Sequence, residues 1–530
     1  MGVRIKSFTQ KYSSAAASEF VLPLLVLALA TFVYSLYGFD GPLLRDYSIY
    51  LYSGQRVAEG VPPYVGIFDH KGPLSPILAG VGVMLSKLFA SDDVLTVRLL
   101  FFFSGCLTVV AVYLLGNSVF RSRAVGLFGA LTFLGFYPYA HPAGSGPEPK
   151  TPMVLFEVLS LLVMSKKRWF WAGLFGSMAF LVWQPMAAFA LVVFVLAITR
   201  PKEERYRAVL RALGGIATPL VATVGYFYYY GALRDLLEGV ILFNARYLTR
   251  GTFTTTPLIL RSFSQPLSSW WETPVSNIVI PYSTMLVPIV IGLTMILRLY
   301  FRRLFEYRFA PILLSFPLPP LWALLDFQLS DDFFVYLPYV AVGFGAFVAL
   351  VSYRLKMPRL VGLLAGALLL AMAFANTLDI VSAPAANRVL GTDVTLSQQR
   401  EGALEIENEF GEDANLASIN SPQVLVLLHR KNANPYLFIT AGIDKEIDAK
   451  WPGGFEGWLQ GLEGSDVISF FGEGQSLLPG AESTPEHREE LIDWLDARYH
   501  MEEIGPWYLL VKNSPSDAKQ ASVKDFFGSG

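Results

Sequence analysis

The sequence predicts a polytopic α-helical membrane protein that ends in a small soluble α/β domain. Three observations predict it. Of 530 residues, 53% are hydrophobic and only 16% are charged, against about 25% charged in an average soluble domain. Apolar runs of span length recur through the first 380 residues. The charge also divides by position: residues 381–530 hold 11 Lys and Arg against 24 Asp and Glu, and the first 380 hold 30 against 19. A basic membrane region, 1–380, is thus joined to an acidic soluble one, 381–530. Neither offers the basic stripe interleaved with aromatics that nucleic-acid binding needs.

The elements follow in order. Arg4, Lys6 and Lys11 precede an apolar run at 20–38, longer than a secretory core and without a small-residue cleavage site, so it reads as an uncleaved signal anchor. Further runs lie at 74–90, 97–116, 124–140, 152–165, 169–183, 185–199, 212–230, 278–297, 309–325, 333–351 and 360–378; a span needs about 20 mostly apolar residues. Lys and Arg accumulate on the cytoplasmic side. The basic loops at 121–123, 166–168, 200–211, 298–308 and 354–359 alternate with pairs of runs. Between the N-terminus and the first of these loops lie three runs, one too many. The weakest, 74–90, carries Pro76, Gly80, Gly82 and Lys87 and is predicted to lie as an interfacial helix. About eleven crossings remain, and the soluble domain falls outside the membrane. The same face receives the loops 39–73, 141–151 and 231–277.

In the soluble domain, 415–419, 466–471 and 507–512 read as strands. Ser421-Pro422 opens a short helix to His429, with the serine as cap. A second helix, 485–499, gathers Leu491, Trp494 and Leu495 on one face. The single cysteine, Cys106, lies in an apolar run, which leaves no disulfide within the chain and reads as buried packing. No zinc motif, Walker loop, serine elbow or dinucleotide fingerprint is present.

The candidate chemistry collects on the outer face. Asp46 follows the first span; a carboxylate there is expected to be partly desolvated, with a raised pKa, as a general base. Its bland alternative is a solvated loop acid. Asp69-His70-Lys71-Gly72-Pro73 sets acid, imidazole and ammonium before the interfacial run, with Lys71 placed either for a lipid phosphate or for simple snorkelling. Glu148, between Pro147 and Pro149, sits on backbone that proline restricts. Glu157 lies inside an apolar run, where an acid is costly and either functional or partnered by an Arg or a Tyr hydroxyl. Gln184-Pro185 marks the outer end of a helical hairpin. Arg246, Arg250 and Arg261 could meet an anionic headgroup, and Asp331-Asp332 suit a helix N-terminus.

Arg45-Asp46-Tyr47, then Gln55, Gly60, Pro62, Pro63 and Tyr64, then His70-Lys71-Gly72-Pro73-Leu74 together resemble the C-type glycosyltransferases (GT-C), membrane enzymes that use polyprenyl-phosphate sugars. Arg98, the stretch 116–121, the outer loop with Glu148, and Ser421-Pro422-Gln423, Arg430-Lys431 and Asn434-Pro435-Tyr436 extend the resemblance, which is strongest over 20–190 and 415–440. The chain is similar in plan to archaeal dolichyl-phosphate-mannose mannosyltransferases of N-glycosylation, to protein O-mannosyltransferases and to bacterial aminoarabinose transferases of lipid A. The resemblance implies the GT-C fold in a cell membrane, with the site outside the cytoplasm. It implies inverting transfer of a sugar, mannose by this likeness, from a dolichyl or other polyprenyl phosphate to a hydroxyl on a lipid-linked oligosaccharide, glycan or protein.

In that reading Asp46 is the base. Lys71, with His70 and Arg246, holds the donor phosphate. Glu148, Asp69, Tyr64 and Gln184 bind sugar or acceptor. Two departures stand out: His-Lys-Gly-Pro where relatives often have His- or Lys-Pro-Pro, and Trp183 where relatives often have a lysine before the hairpin glutamine. The tandem acids of metal-dependent oligosaccharyltransferases are absent around Asp46, so no obligatory divalent metal is expected; one shared by Asp46 and Glu148 stays open. A transporter or flippase of lipid-linked sugars is the alternative. It would favour internal repeats and midplane polar sites, whereas the polar residues here gather at the outer face.

Overall fold

The structure is a computed structural model that describes residues 20–248, 279–318, 334–355, 358–382, 394–439, 442–472, 483–513 and 523–524. Arg250, Arg261 and Asp331-Asp332 lie outside the described residues. The first half is helical: α1 Phe20–Ser35, α2 Arg45–Ala58, α3 Leu74–Phe89, α4 Asp93–Phe120, α5 Arg123–Leu134, α6 Tyr137–Ser145, α7 Lys150–Ser165, α8 Trp169–Val182, α9 Ala187–Ile198, α10 Lys202–Tyr229, α11 Leu233–Leu237, a π-helix Glu238–Phe243 and α12 Asn244–Leu248. Then come α13 Val279–Arg303, α14 Ala310–Ser315, α15 Leu337–Arg354 and α16 Pro358–Ser382.

Three described helices, Asp93–Phe120, Lys202–Tyr229 and Phe334–Arg354, are long and apolar enough to cross a membrane; six shorter apolar helices, Leu74–Phe89 among them, accompany these. α4 is the hub, packed against α5 and α7, while α5 packs on α15 and α8 on α7 and α10. Without a strong hydrophobic drive between helices in lipid, close approach through small residues takes over. A Cβ on Gly215 of α10 would lie 1.9 Å from the Phe170 carbonyl oxygen, and one on Gly345 of α15 would lie 2.6 Å from that of Val125. The Asp92 carboxylate caps α4 by accepting the Leu95 N–H at 2.8 Å, as an N-cap acid does. Cys106 is fully buried in this core.

Three sequence expectations change. The run 124–140 is two helices, broken at Gly135-Phe136, with Pro138 in the first turn of the second, where its missing N–H leaves no helix bond unmade. The basic stretch 200–211 is the first part of α10 rather than a loop. The loop 39–73 contains α2, buried on all sides from Tyr47 to Val57; a helix that buries Ser, Gln and Arg along with its tyrosines looks like a polar connection when read as a span.

The C-terminal part holds α17 Leu396–Phe410, α18 Gln423–Leu427, α19 Ile443–Lys450, α20 Gly454–Gly461 and α21 Pro485–Arg498 around a four-stranded sheet. Its order is β1-β2-β4-β3, with β1 Leu416–Ser418 parallel to β2 Val467–Gly472 and the hairpin β3 Tyr499–Ile504 and β4 Trp507–Lys512 antiparallel. Leu491, Trp494 and Leu495 of α21 are buried, as their spacing predicts. β3 is not anticipated in the sequence reading, since its polar alternation becomes a strand only by pairing with β4. Ser421 is no cap: Pro422 holds the cap position, and the Ser421 hydroxyl donates to Gln423 Oε1 at 3.2 Å.

Candidate active site

Asp46 lies in the first turn of α2, where an acid complements the helix dipole. Arg45 Nε and Nη2 both stand 2.9 Å from Asp46 Oδ1. Over half of the Asp46 side chain, 56%, is open to solvent. Desolvation is nevertheless the largest single influence on its carboxyl. Desolvation pushes the Asp46 pKa up, but the charges of Arg45, Lys71 and Lys150 and the Arg45 hydrogen bond together hold it below the ordinary value. The raised pKa expected from the interface position is therefore corrected: the cations win.

One helical turn on, Tyr50 is buried beside Asp46. Burial drives its hydroxyl well above the ordinary value, and the negative charges of Asp69, Glu148 and Asp46 add to that. Lys71 Nζ sits 5.6 Å from the centre of the Tyr50 ring, within cation–π range. Four of the candidate residues thus meet around an aromatic side chain that sequence reading passed over.

The loop that presents Lys71 is built by its neighbours. Asp69 is buried, and its Oδ1 accepts the N–H groups of His70 at 2.7 Å and Lys71 at 3.2 Å, an Asx-type turn. Tyr64, at φ 71°, donates its hydroxyl to the Lys71 carbonyl at 2.6 Å and stacks on Phe227. The His70 carbonyl accepts both Gln184 Nε2 and Asn244 Nδ2 at 2.7 Å. Asp69, Tyr64 and Gln184 therefore shape the loop. The departure at Gly72 has a steric cause: a Cβ there would lie 2.1 Å from the Leu181 carbonyl oxygen at the end of α8. Burial lowers the His70 pKa first of all, Asp69 opposes that and Lys71 lowers it further.

Glu148 is buried, and its Oε1 accepts the Lys150 N–H at 3.1 Å at the start of α7. Gly146 brings this loop against α2, since a Cβ on it would meet the Tyr47 ring at 2.4 Å. Lys150 Nζ stands 5.3 Å from the Trp183 ring centre. Trp183 therefore seats a lysine delivered by a different helix. Sequence reading missed Lys150 because nothing local links positions 150 and 183.

Two candidates belong elsewhere. Arg246 Nη2 is engaged by Glu238 at 2.6 Å and by Glu446 of the C-terminal part at 3.2 Å, and Lys450 pairs with both acids. This ion cluster fixes the segment whose Asn244 holds the His70 carbonyl. Glu157 is fully buried in the bundle near Tyr339, whose hydroxyl lies 2.7 Å from Ser315 Oγ, and both Glu157 carboxylate oxygens are buried without a hydrogen-bond partner among the described residues. Among the described residues, no group of three or more His, Cys, Asp or Glu is placed to hold a metal.

No protein-family model matches the chain, and no curated protein matches its sequence. Solved structures do resemble it. ArnT from Cupriavidus metallidurans bound to undecaprenyl phosphate aligns at TM-score 0.50 and 14% identity, over 95% of this chain and 100% of that one. The Archaeoglobus fulgidus oligosaccharyltransferase tethered with an acceptor peptide containing the NVT sequon aligns at 0.48 and 12%, over 78% of this chain. This chain spans 63% of that protein's length. The Saccharomyces cerevisiae Pmt1-Pmt2 O-mannosyltransferase complex bound to the sugar donor aligns at 0.32 and 14%, over 40% of this chain and 34% of that one. At these identities the likeness is one of fold, and it rests on the first of the three: the chain shares the fold of that ArnT structure.

Proposed function

We propose that this chain of GT-C fold is an inverting glycosyltransferase that moves a sugar, mannose, from a dolichyl or other polyprenyl phosphate to a hydroxyl of a lipid-linked or protein-linked glycan. The observation that carries the reading is a carboxylate, Asp46, whose pKa is held down by the charges of Arg45 and of two aromatic-seated lysines, Lys71 and Lys150. A phosphate leaving group needs such cations. An incoming hydroxyl needs such a base.

The membrane plan proposed with it has about eleven crossings, α3 in the outer interface, and a soluble domain from about residue 381 on the outer face. The donor's apolar tail stays in the bilayer, and its phosphate reaches the two lysines. Asp46 is a weak base in the ground state. It accepts the acceptor's proton as the hydroxyl oxygen forms its bond to C1 and becomes acidic. The C1–O bond to the phosphate breaks on the opposite face, so the anomeric centre inverts. The departing polyprenyl phosphate carries away that bond's electron pair, and Lys71 and Lys150 meet the new charge. His70 acts through its backbone carbonyl, and Arg246 through the ion cluster with Glu238 and Glu446. Glu148, beside Tyr50 and Lys150, is the carboxylate proposed to face the sugar.

The test is sugar transfer in liposomes from a panel of polyprenyl-phosphate sugars, by wild type and Asp46→Asn. Transfer with inversion by wild type, lost in Asp46→Asn at equal expression, is expected. Near-wild-type turnover in Asp46→Asn would remove Asp46 as the base.

A further inference from the structure

The two segments that present Asp46 and Lys71 are each held, three residues upstream, by the C-terminal part of the chain. Upstream of Asp46, the buried Gln399 of α17 closes a two-point clamp on a single residue: its Oε1 accepts the Leu43 N–H at 2.6 Å and its Nε2 donates to the Leu43 carbonyl at 3.1 Å. The Leu396 N–H adds a bond to the Asp40 carbonyl at 3.2 Å. From the bundle side, the fully buried Arg98 donates to the carbonyls of Phe39 at 2.5 Å and Pro42 at 3.1 Å. Upstream of Lys71, the Phe68 N–H donates to the Pro435 carbonyl at 2.7 Å, and the Phe68 ring packs on Tyr436 and Phe243 at 5.3 and 5.2 Å between centres.

Both clamps trace back to one sheet. The Trp507 indole of β4 donates to the Gln399 carbonyl at 3.2 Å. On the other side, Asn434 Oδ1 accepts the Tyr436 N–H at 2.8 Å, Asn432 Nδ2 donates to the Asn434 carbonyl at 2.9 Å, and Asn432 Oδ1 accepts the Ser418 N–H of β1 at 2.7 Å. The Asn432 N–H also reaches the Tyr52 hydroxyl of α2 at 2.9 Å. A sheet does not stretch, so segments tied to β1 and to β4, two strands away, keep a fixed separation. A placement error near 1 Å can cost a reaction about a hundredfold.

We propose that the C-terminal domain is a jig for the active site: Gln399 and the Asn434–Tyr436 segment are positioning residues that set the spacing of Asp46 from Lys71. The catalytic half of this rests on the reading of Asp46 and Lys71 given above; the clamps themselves do not.

The experiment is hydrogen–deuterium exchange on the full chain, wild type, Gln399→Leu and Asn434→Ala, alongside transfer kinetics. Gln399→Leu keeps the side-chain volume and removes the bonds. It is expected to speed exchange roughly tenfold or more in 39–46 and not in 66–72, the scale of two net hydrogen bonds lost. It is expected to lower kcat about 10- to 100-fold with donor KM near wild type. Asn434→Ala is expected to speed exchange in 66–72 alone and to raise donor KM severalfold. Unchanged exchange in both variants, exchange raised uniformly, or local loosening with wild-type kinetics would each overturn the proposal. Segment-specific loosening in the variants, with no sugar transferred even by wild type, would instead overturn the glycosyltransferase reading and uphold the clamps.

Discussion

At Asp46 two opposing effects act on one carboxyl. Desolvation favours the neutral acid, while Arg45, Lys71 and Lys150 favour the anion and prevail. The base is therefore ionised across the neutral range, and the acid limb of the pH–rate profile is expected below the ordinary carboxylate value. Arg45→Gln removes the largest of the cationic contributions, so the carboxyl titrates at higher pH and the acid limb moves up with it. A pH series of transfer rates checks this; an unmoved limb would detach Asp46 from the rate. The sign for stability runs the same way: the contribution of the Arg45–Asp46 pair is present above the unfolded-state pKa and is lost as pH falls through the lower folded one. With more than half of Asp46 exposed, solvent screening keeps that contribution small. The two lysines divide by role. Lys71→Ala is expected to lower transfer about 100-fold, the scale of one lost charge-stabilising donor, with weaker donor use. Trp183→Leu unseats Lys150 without deleting it, removes a cation–π contact worth roughly 0.5–2 kcal/mol, and is expected to give a smaller loss. Equal effects from both, measured as donor kcat/KM, would contradict this division.

At the scale of elements, the short loop between α2 and α3 decides where Lys71 points. It combines an Asx-type turn at Asp69, a left-handed residue at Tyr64, and a carbonyl at His70 that takes two side-chain donors. Gly72 lets this loop lie against the end of α8 with no room for a methyl group. Gly72→Ala forces the loop away from Leu181 and is expected to cost about 1–3 kcal/mol, as overpacking does. It is also expected to raise donor KM while leaving α8 in place. Thermal unfolding together with donor titration checks both parts, and a variant that binds donor like wild type would mean that Lys71 is not set by this contact. The loop's composition was legible in the sequence as a charged cluster, and its glycine as a departure. The cause of the glycine was not, because Leu181 lies more than a hundred positions away. α2 was hidden for a different reason: its buried Tyr47, Leu51 and Tyr52 pack in one cluster with α3 and the C-terminal part.

At the scale of the whole molecule, a helical bundle and an acidic α/β domain meet along α2. What the sequence made legible were properties that sum over many residues: apolar runs, the charge division near 380, and the apolar face of α21. Contacts that pair distant positions were not legible, such as Gln399 with Leu43, 356 positions apart, or Lys150 with Trp183. Each is made by one side chain and leaves no periodic trace. Arg246 shows the converse. Its charge was visible, but the Glu238, Glu446 and Lys450 that surround it were not, and they turn a phosphate candidate into part of an interdomain ion cluster. In the proposed function, the Asp46 carboxylate with Lys71 and Lys150 transfers a sugar from a polyprenyl phosphate. The most direct measurement is the anomeric configuration and yield of product formed in liposomes by wild type and by Asp46→Asn. Inverted product from wild type and none from the variant is the result this account predicts; retained configuration, or equal yield from both proteins, would contradict it.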